Sequence, residues 1–281
     1  MRPGPFTYTR PATMADALRA MAAGAVPLAG GQSLLQAMRL RQTEPQAIVD
    51  ISAVAEISTT ISIEQTHITL GAGLSHRALL EHPLIGAEMS WLSEAAQALG
   101  DVQVRNLGTV VGNLCWADPR ANMAVALLAS DAVVIALSPT RPDAPDRIPI
   151  DQFFSGFRQH TLNGRLATGI EIRRDAAARG AYIEFSRQRQ DLALCNVALV
   201  RYGDGTVRLA VGGIDPKPVR LAAVEAVIAS GDLNALNAAL DHSLIESRHA
   251  PIADQHGSSA YKLGLARTLI RRALNQLGVA S

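Results

Sequence analysis

Two cysteines, Cys115 and Cys195, are all that this 281-residue chain carries, and they lie far apart in sequence. A cysteine-ligated cluster or a structural zinc needs more thiolates, and a disulfide framework needs more pairs. The two are expected to be unpaired thiols packed as small hydrophobes, in a reducing, cytoplasmic compartment. Aromatic residues are also scarce. Four Tyr, five Phe and two Trp are too few for a base-stacking platform. Charge of one sign is missing: 26 basic and 25 acidic residues leave a net +1. A nucleic-acid partner needs a clustered positive surplus, and Arg173-Arg174 and Arg271-Arg272 are only pairs, read as solvated faces. Long hydrophobic runs are absent. Ala124 to Ala129 and Ala132 to Leu137 fall far short of the ~20 residues that span a bilayer. Met1-Arg2-Pro3-Gly4-Pro5 holds no hydrophobic signal core, so export is not expected. His67, His82, His160, His242, His249 and His256 are scattered without metal-ligand spacing, and no carboxylate pair or nucleophile–base pattern stands out.

What remains is a chain able to build a large core, with 48% hydrophobic and 18% charged residues. Its length suits two domains, or one large domain with an appendage. Thr13 can cap a first helix whose stripe is Ala17, Leu18 and Met21, and Gly24 stops it. Val26 to Leu28 reads as a buried strand, Ser33 to Leu40 as a helix and Ala47 to Ile51 as a second strand. Ile57, Ile61, Ile63, Ile68 and Leu70 suggest a β-meander. Helices are expected from Ser90 to Gly100 and over 121–129, and an apolar strand over 132–137. Pro139 to Pro149, rich in Pro and Asp, reads as an exposed loop. Composition shifts at 173–180, taken as a linker. Beyond it come strands at 181–186, 193–202 and 206–213, the last two joined as a hairpin by Gly203-Asp204-Gly205, then helices at 221–230, 232–240 and 258–277. The expected class is α+β: two lobes before the linker, and one domain of sheet and helices after it.

Two glycine-bearing segments stand out. In Ala29-Gly30-Gly31-Gln32-Ser33-Leu34 the glycines lack Cβ, Ser33 adds a hydroxyl, and a helix start adds partial positive charge. These features suit a pyrophosphate. No lysine follows, so this is not a nucleotide-triphosphate loop. An ordinary strand-to-helix turn would need the same glycines. In Asn106-Leu107-Gly108-Thr109-Val110-Val111-Gly112-Asn113 a loop could lay peptide groups against a ring or phosphate, with Thr109 and Asn113 as hydrogen-bond donors. A tight turn beside a core strand is the plainer explanation. Gly71-Ala72-Gly73-Leu74-Ser75-His76 begins like a dinucleotide fingerprint, but His76 replaces the third glycine and no β–α–β pattern surrounds it. His76 is expected at a helix start or loop, where it could face a ligand.

Taken with Asp101-Val102-Gln103-Val104-Arg105 before the second segment, with Ala117-Asp118-Pro119, and with Tyr182-Ile183-Glu184-Phe185-Ser186-Arg187, the chain resembles the flavin (medium) subunit of the molybdenum hydroxylases. These include carbon monoxide dehydrogenase and the xanthine dehydrogenases. Pro5-Phe6, Arg10-Pro11-Ala12-Thr13, Ile48-Val49-Asp50-Ile51, Asp191 and Tyr261 to Arg267 extend the likeness along nearly the whole chain. The resemblance implies a two-lobed FAD-binding fold of the vanillyl-alcohol-oxidase type over residues 1–175 (lobes about 1–55 and 56–175) and a C-terminal domain over 176–281. It implies that Ala29, Gly30, Gly31, Gln32 and Ser33 meet the diphosphate. Further cofactor contacts are implied for Leu34, His76, Thr109, Gly112, Asn113, Asp118, Asn122, Leu166 and Glu184. It further implies two-iron, two-sulfur clusters on a small partner and a molybdenum-pterin cofactor on a large one, in a dimer of heterotrimers that passes electrons to an external acceptor. Two positions depart from the family pattern: Val111, where a second glycine is usual, and Asn122, often Asp. A free-standing flavin oxidoreductase would need its own substrate base, for which no residue stands out. A flavin-free assembly scaffold finds support only in Val111 and Asn122. The substrate of the whole enzyme is not written in this chain.

Overall fold

The computed structural model describes residues 2–246 and 257–279. His249 and His256 lie outside the described residues. The chain begins with β1 (Thr7–Thr9), α1 (Met14–Ala22), β2 (Val26–Leu28), α2 (Leu34–Arg39) and β3 (Ala47–Asp50). The three strands form a parallel sheet in the order β1-β3-β2. Thr13 caps α1 by accepting from Asp16 N at 3.2 Å, and Gly24 follows in the left-handed region at φ +95.

Next come β4 (Ile61–Ile63), β5 (His67–Gly71) and six helices: α3 (His76–Glu81), α4 (Pro83–Glu88), α5 (Ser90–Ala98), α6 (Val102–Leu107), α7 (Val110–Trp116) and α8 (Asn122–Leu128). Then follow β6 (Val133–Ser138), β7 (Arg141–Pro149), the small pair β8 (Phe154–Gly156) and β9 (Gln159–His160), and β10 (Leu166–Arg173). An antiparallel sheet runs β4-β5-β10-β6-β7. Ile68, Leu70, Val134, Ala136, Ile170 and Ile172 are all buried in one core.

Two expectations are corrected here. Residues 139–149 are not a loop; most of that stretch is the edge strand β7, with Val133 opposite Pro149 and Ile135 opposite Arg147. Every second N–H of an outermost strand faces away from the ladder, and Pro149, next to the paired Ile150 N, takes such a position at no cost in ladder bonds. The second glycine segment is not an open loop either. It is a junction between α6 and α7, each started by a side-chain cap: Asp101 accepts from Val104 N, and Thr109 from Gly112 N.

After the two lobes of this first unit, a second unit contains β11 (Arg179–Phe185), β12 (Cys195–Arg201), β13 (Val207–Gly212), β14 (Val219–Arg220), α9 (Ala222–Ser230), α10 (Leu236–Asp241) and α11 (Ser259–Gln276). Its antiparallel sheet runs β11-β12-β13-β14, with the hairpin at 203–205. Strand β12 is covered on both faces. Val197 and Leu199 join the core under α9 and α11, while Ala198 and Val200 join the large core of the first unit. Alternation along a strand sends neighbours to opposite faces, so a sheet covered twice reads as an unbroken apolar run. The connection from β10 to β11 is pinned. Arg174 grips Glu88 through two hydrogen bonds of 2.9 Å, and Asp175 accepts from Ala177 N and Gly203 N.

The two units meet where Gly180 lies on the ring of Trp91, which is fully buried and donates to Ser130 Oγ at 2.9 Å. A Cβ on Gly180 would stand 2.3 Å from Trp91 Cε3. Gly180→Ala is therefore expected to lower stability by about 2–3 kcal/mol through overpacking. Urea unfolding checks this, and an unchanged midpoint would contradict the packing.

Candidate functional site

A cleft of about 950 Å³ opens between the parallel lobe, the α3–α8 layer and β10. That volume lies at the upper end for small-molecule sites. Its floor is built where the two glycine segments touch. The first lies at the carboxyl end of the parallel strand β2 and leads into α2, the usual place for a ligand in open parallel sheets. A Cβ on Gly30 would stand 2.0 Å from Leu107 O and 2.8 Å from Gly108 Cα. Gly30 is therefore required for backbone to meet backbone, and not only for a ligand's approach. Gly31 takes φ +72, a left-handed conformation that favours glycine.

Leu35 N is the first amide of this segment bonded within the helix, to Gly31 O at 3.2 Å. The amides of Gln32, Ser33 and Leu34 precede it and are the orphan donors of a helix start. Ser33 occupies the cap position but makes no side-chain cap bond, so its hydroxyl is left for another partner. Gln32 curls back to donate to Gly30 O at 3.1 Å. Helix α2 has only six residues, so donor direction matters more than a macrodipole.

His76 begins α3 behind this seam. Its N–H donates to Gly108 O at 3.1 Å, and Val110 N donates to Leu74 O at 3.0 Å. The ring is 1% exposed, lines the cleft, and its Nδ1 has no hydrogen-bond partner. Burial, aided by the nearby Arg105 charge, pushes its pKa down to about 4. His76 is thus a neutral imidazole at pH 7. Asn113 Oδ1 and His160 Nδ1 are two more buried polar atoms without partners, on residues that line the same cleft. Buried polar atoms normally find partners, so three orphans on one cleft suit a polar ligand.

The expected residues divide into two sets. Ala29, Gly30, Gly31, Gln32, Ser33, Leu34, His76, Thr109, Gly112, Asn113, Asn122 and Leu166 all line the cleft. Gly112 N is already taken by Thr109 Oγ1 at 3.0 Å and Asn113 N by Thr109 O at 2.9 Å. That leaves the Thr109 O–H proton and the Asn113 side chain to meet a ligand. Asp118 and Glu184 do not line the cleft. Asp118 is buried and holds Arg120 and Arg158. Glu184 accepts from Asn122 Nδ2 and from the Tyr182 hydroxyl, both at 2.8 Å. Burial raises the Glu184 pKa. Val111, the second residue of α7, is buried and lines the cleft.

Arg158 and the Gln190-Asp191-Leu192 stretch also line the cleft; sequence reasoning missed Arg158 and took Asp191 only as part of the likeness, with no site role. Arg158 lies over the Trp116 ring, 4.9 Å from its centroid, and over Phe157 at 5.3 Å. Its partners come from distant segments, Gln42 and Asp118, so no local pattern could mark it.

The buried neutral His76 carries a pH signature. An imidazole is protonated near pH 6.5 in the unfolded chain but only near pH 4 in the folded one. The unfolded state therefore binds more protons between those values, and stability falls as pH drops through that window. From pH 7 to pH 5 this group alone is expected to remove about 2 kcal/mol. His76→Gln should shrink that loss. Urea unfolding of both proteins at the two pH values measures it, and identical slopes would refute a neutral buried His76.

Residues 4–172 match the FAD binding domain in molybdopterin dehydrogenase, and residues 180–277 match the CO dehydrogenase flavoprotein C-terminal domain. The glyceraldehyde dehydrogenase medium chain of Sulfolobus acidocaldarius is 30% identical, over 99% of this chain and 100% of its own. The carbon monoxide dehydrogenase medium chain of Hydrogenophaga pseudoflava is 29% identical, with 98% of each chain covered. The solved structure of the Hydrogenophaga pseudoflava carbon monoxide dehydrogenase superposes with a TM-score of 0.88 over 98% of both chains. The reconstituted enzyme from Oligotropha carboxidovorans, 26% identical, gives 0.89 over the same share. The chain combines a mixed helix-and-strand FAD-binding domain with a C-terminal flavoprotein domain. It belongs to the FAD-binding medium subunits of the molybdenum hydroxylases, a family of oxidoreductases.

Proposed function

We propose that this chain holds FAD as the electron-transfer subunit of a three-component molybdenum hydroxylase. Electrons reach it from two-iron, two-sulfur clusters on a small partner, which takes them from a molybdenum-pterin cofactor on a large partner. They leave to an external acceptor. The working unit is a dimer of heterotrimers in the cytoplasm, with residues 1–175 as the cofactor domain and 176–281 as the second domain. The observation that carries this reading is the cleft built from both glycine segments and edged by three orphaned polar atoms. The family match and the medium-chain relatives support it.

The residues present fit the cofactor. Bound flavin supplies redox chemistry that side chains lack. The protein binds, orients and insulates. The amides of Gln32, Ser33 and Leu34 and the Ser33 hydroxyl form a donor set for a diphosphate. Ala29, Gly30 and Gly31 let that group approach the backbone. Thr109 donates through its hydroxyl, Asn113 Oδ1 accepts, and neutral His76 provides Nδ1 without bringing a charge. Leu166 and Val111 supply apolar wall. Both thiols are unpaired, and burial pushes the Cys115 thiol, which lines the cleft, up to about 12. It therefore stays protonated beside the cofactor.

The purified complex is expected to show flavin absorbance in the visible range. Ser33→Asp should lower FAD content at least about tenfold, because a carboxylate would face the diphosphate. A colourless wild-type complex would overturn the flavin reading. Unchanged FAD content in the variant would displace the diphosphate from this loop.

A further inference from the structure

Asn122 is 5% exposed and is the one residue of α8 that lines the cleft. Both protons of its amide are committed. Nδ2 donates to Ala95 O at 3.3 Å and to Glu184 Oε2 at 2.8 Å. A carbonyl and a carboxylate only accept, so the amide can sit one way round, with Oδ1 as the atom left for the cleft. Glu184 is itself fixed. The Tyr182 hydroxyl donates to the same Oε2 at 2.8 Å, and that hydroxyl accepts from Asn196 Nδ2 at 3.0 Å. Asn196 is fully buried and also donates to Arg120 O at 2.9 Å. The chain of contacts thus runs from β12 through β11 to the first residue of α8.

We propose that Glu184 is a positioning residue. From the C-terminal domain it orients the Asn122 amide, so that the cleft offers a neutral acceptor to a hydroxyl or amino donor of the bound cofactor. This rests on the flavin reading above. It also makes the second domain part of the site without touching the ligand. The pairing needs one donor and one acceptor at 122 and 184. Two carboxylates there would have to share a proton, because like charges at that separation do not both ionise.

The test is FAD affinity of the full-length chain, stripped of flavin, measured from pH 6 to 9. Glu184→Gln should keep affinity within about twofold, since an amide oxygen can take both hydrogen bonds now made to Oε2. Asn122→Asp should bind progressively more weakly as pH rises, by up to about tenfold per pH unit once the shared proton is lost. The double variant Asn122→Asp/Glu184→Gln should recover affinity and lose the slope, because the glutamine amide now donates to the carboxylate. Other ionisable groups of this neighbourhood include Tyr182, Cys195 with the Lys262 charge near it, Glu94, which accepts from Tyr182 N, and the Asp118–Arg120 pair. None is altered between the variants, so only the 122–184 pairing can switch the slope on and off. Should Asn122→Asp not fold, Glu184→Leu removes the acceptor without adding charge and should weaken FAD at least about fivefold at every pH. A flat profile with wild-type affinity in Asn122→Asp, a slope that survives in the double variant, or an unaffected Glu184→Leu each overturns the proposal. Wild-type protein that binds no FAD overturns the flavin reading itself, and this one with it.

Discussion

Backbone meets backbone where Gly30 faces Leu107 and Gly108, and the cleft exists because of that contact. A methyl group at Gly30 would overlap Leu107 O, so the parallel lobe can close against the α6–α7 junction only without one. The seam is then fixed from behind by two backbone hydrogen bonds, His76 N to Gly108 O and Val110 N to Leu74 O. Closure leaves the start of α2 and Thr109 on one cleft. The geometry of the cleft is thus inherited from packing, and little of it depends on flexible side chains.

The electrostatics of the cleft follow the same economy. Its buried imidazole, His76, is neutral, and of the two carboxylates that the family resemblance implied, Asp118 is held by two guanidinium groups. Glu184 reaches the cleft only through an amide, while Asp191 lines it directly. Helix α8 and the strands that cover it make this possible. Residues 121–130 are all buried, so the polar group at the head of α8 must find its partners within the protein.

Much of this was legible in the sequence, and the exceptions share a cause. Thr13, Ser90 to Ala98 and the turn at 203–205 act through neighbours a few residues away, so local spacing revealed them. The two glycine segments were visible because glycine, serine and threonine cluster there. Their mutual contact was not, since it joins residues distant in the chain. Strand β7 escaped because proline opposes strand formation everywhere except at an edge, and edge position is a property of the finished sheet. Asp118 and Glu184 were implied as cofactor contacts only by the family resemblance. Their partners Arg120, Arg158, Tyr182 and Asn122 come from the tertiary structure, which no local pattern could reveal. Arg158 left no trace, because Trp116 and Gln42 reach it from elsewhere.

The prolines along β7 have an effect beyond the local pairing. Pro142, Pro145 and Pro149 fall on the outermost strand of the five-stranded sheet. An exposed edge is a template on which another chain can add a strand, and missing N–H groups spoil that template. Strand β4, at the opposite edge, has only three residues and offers little length for recruitment. This sheet is therefore guarded at both ends against open-ended growth, and any contact with another chain is steered toward side-chain surfaces.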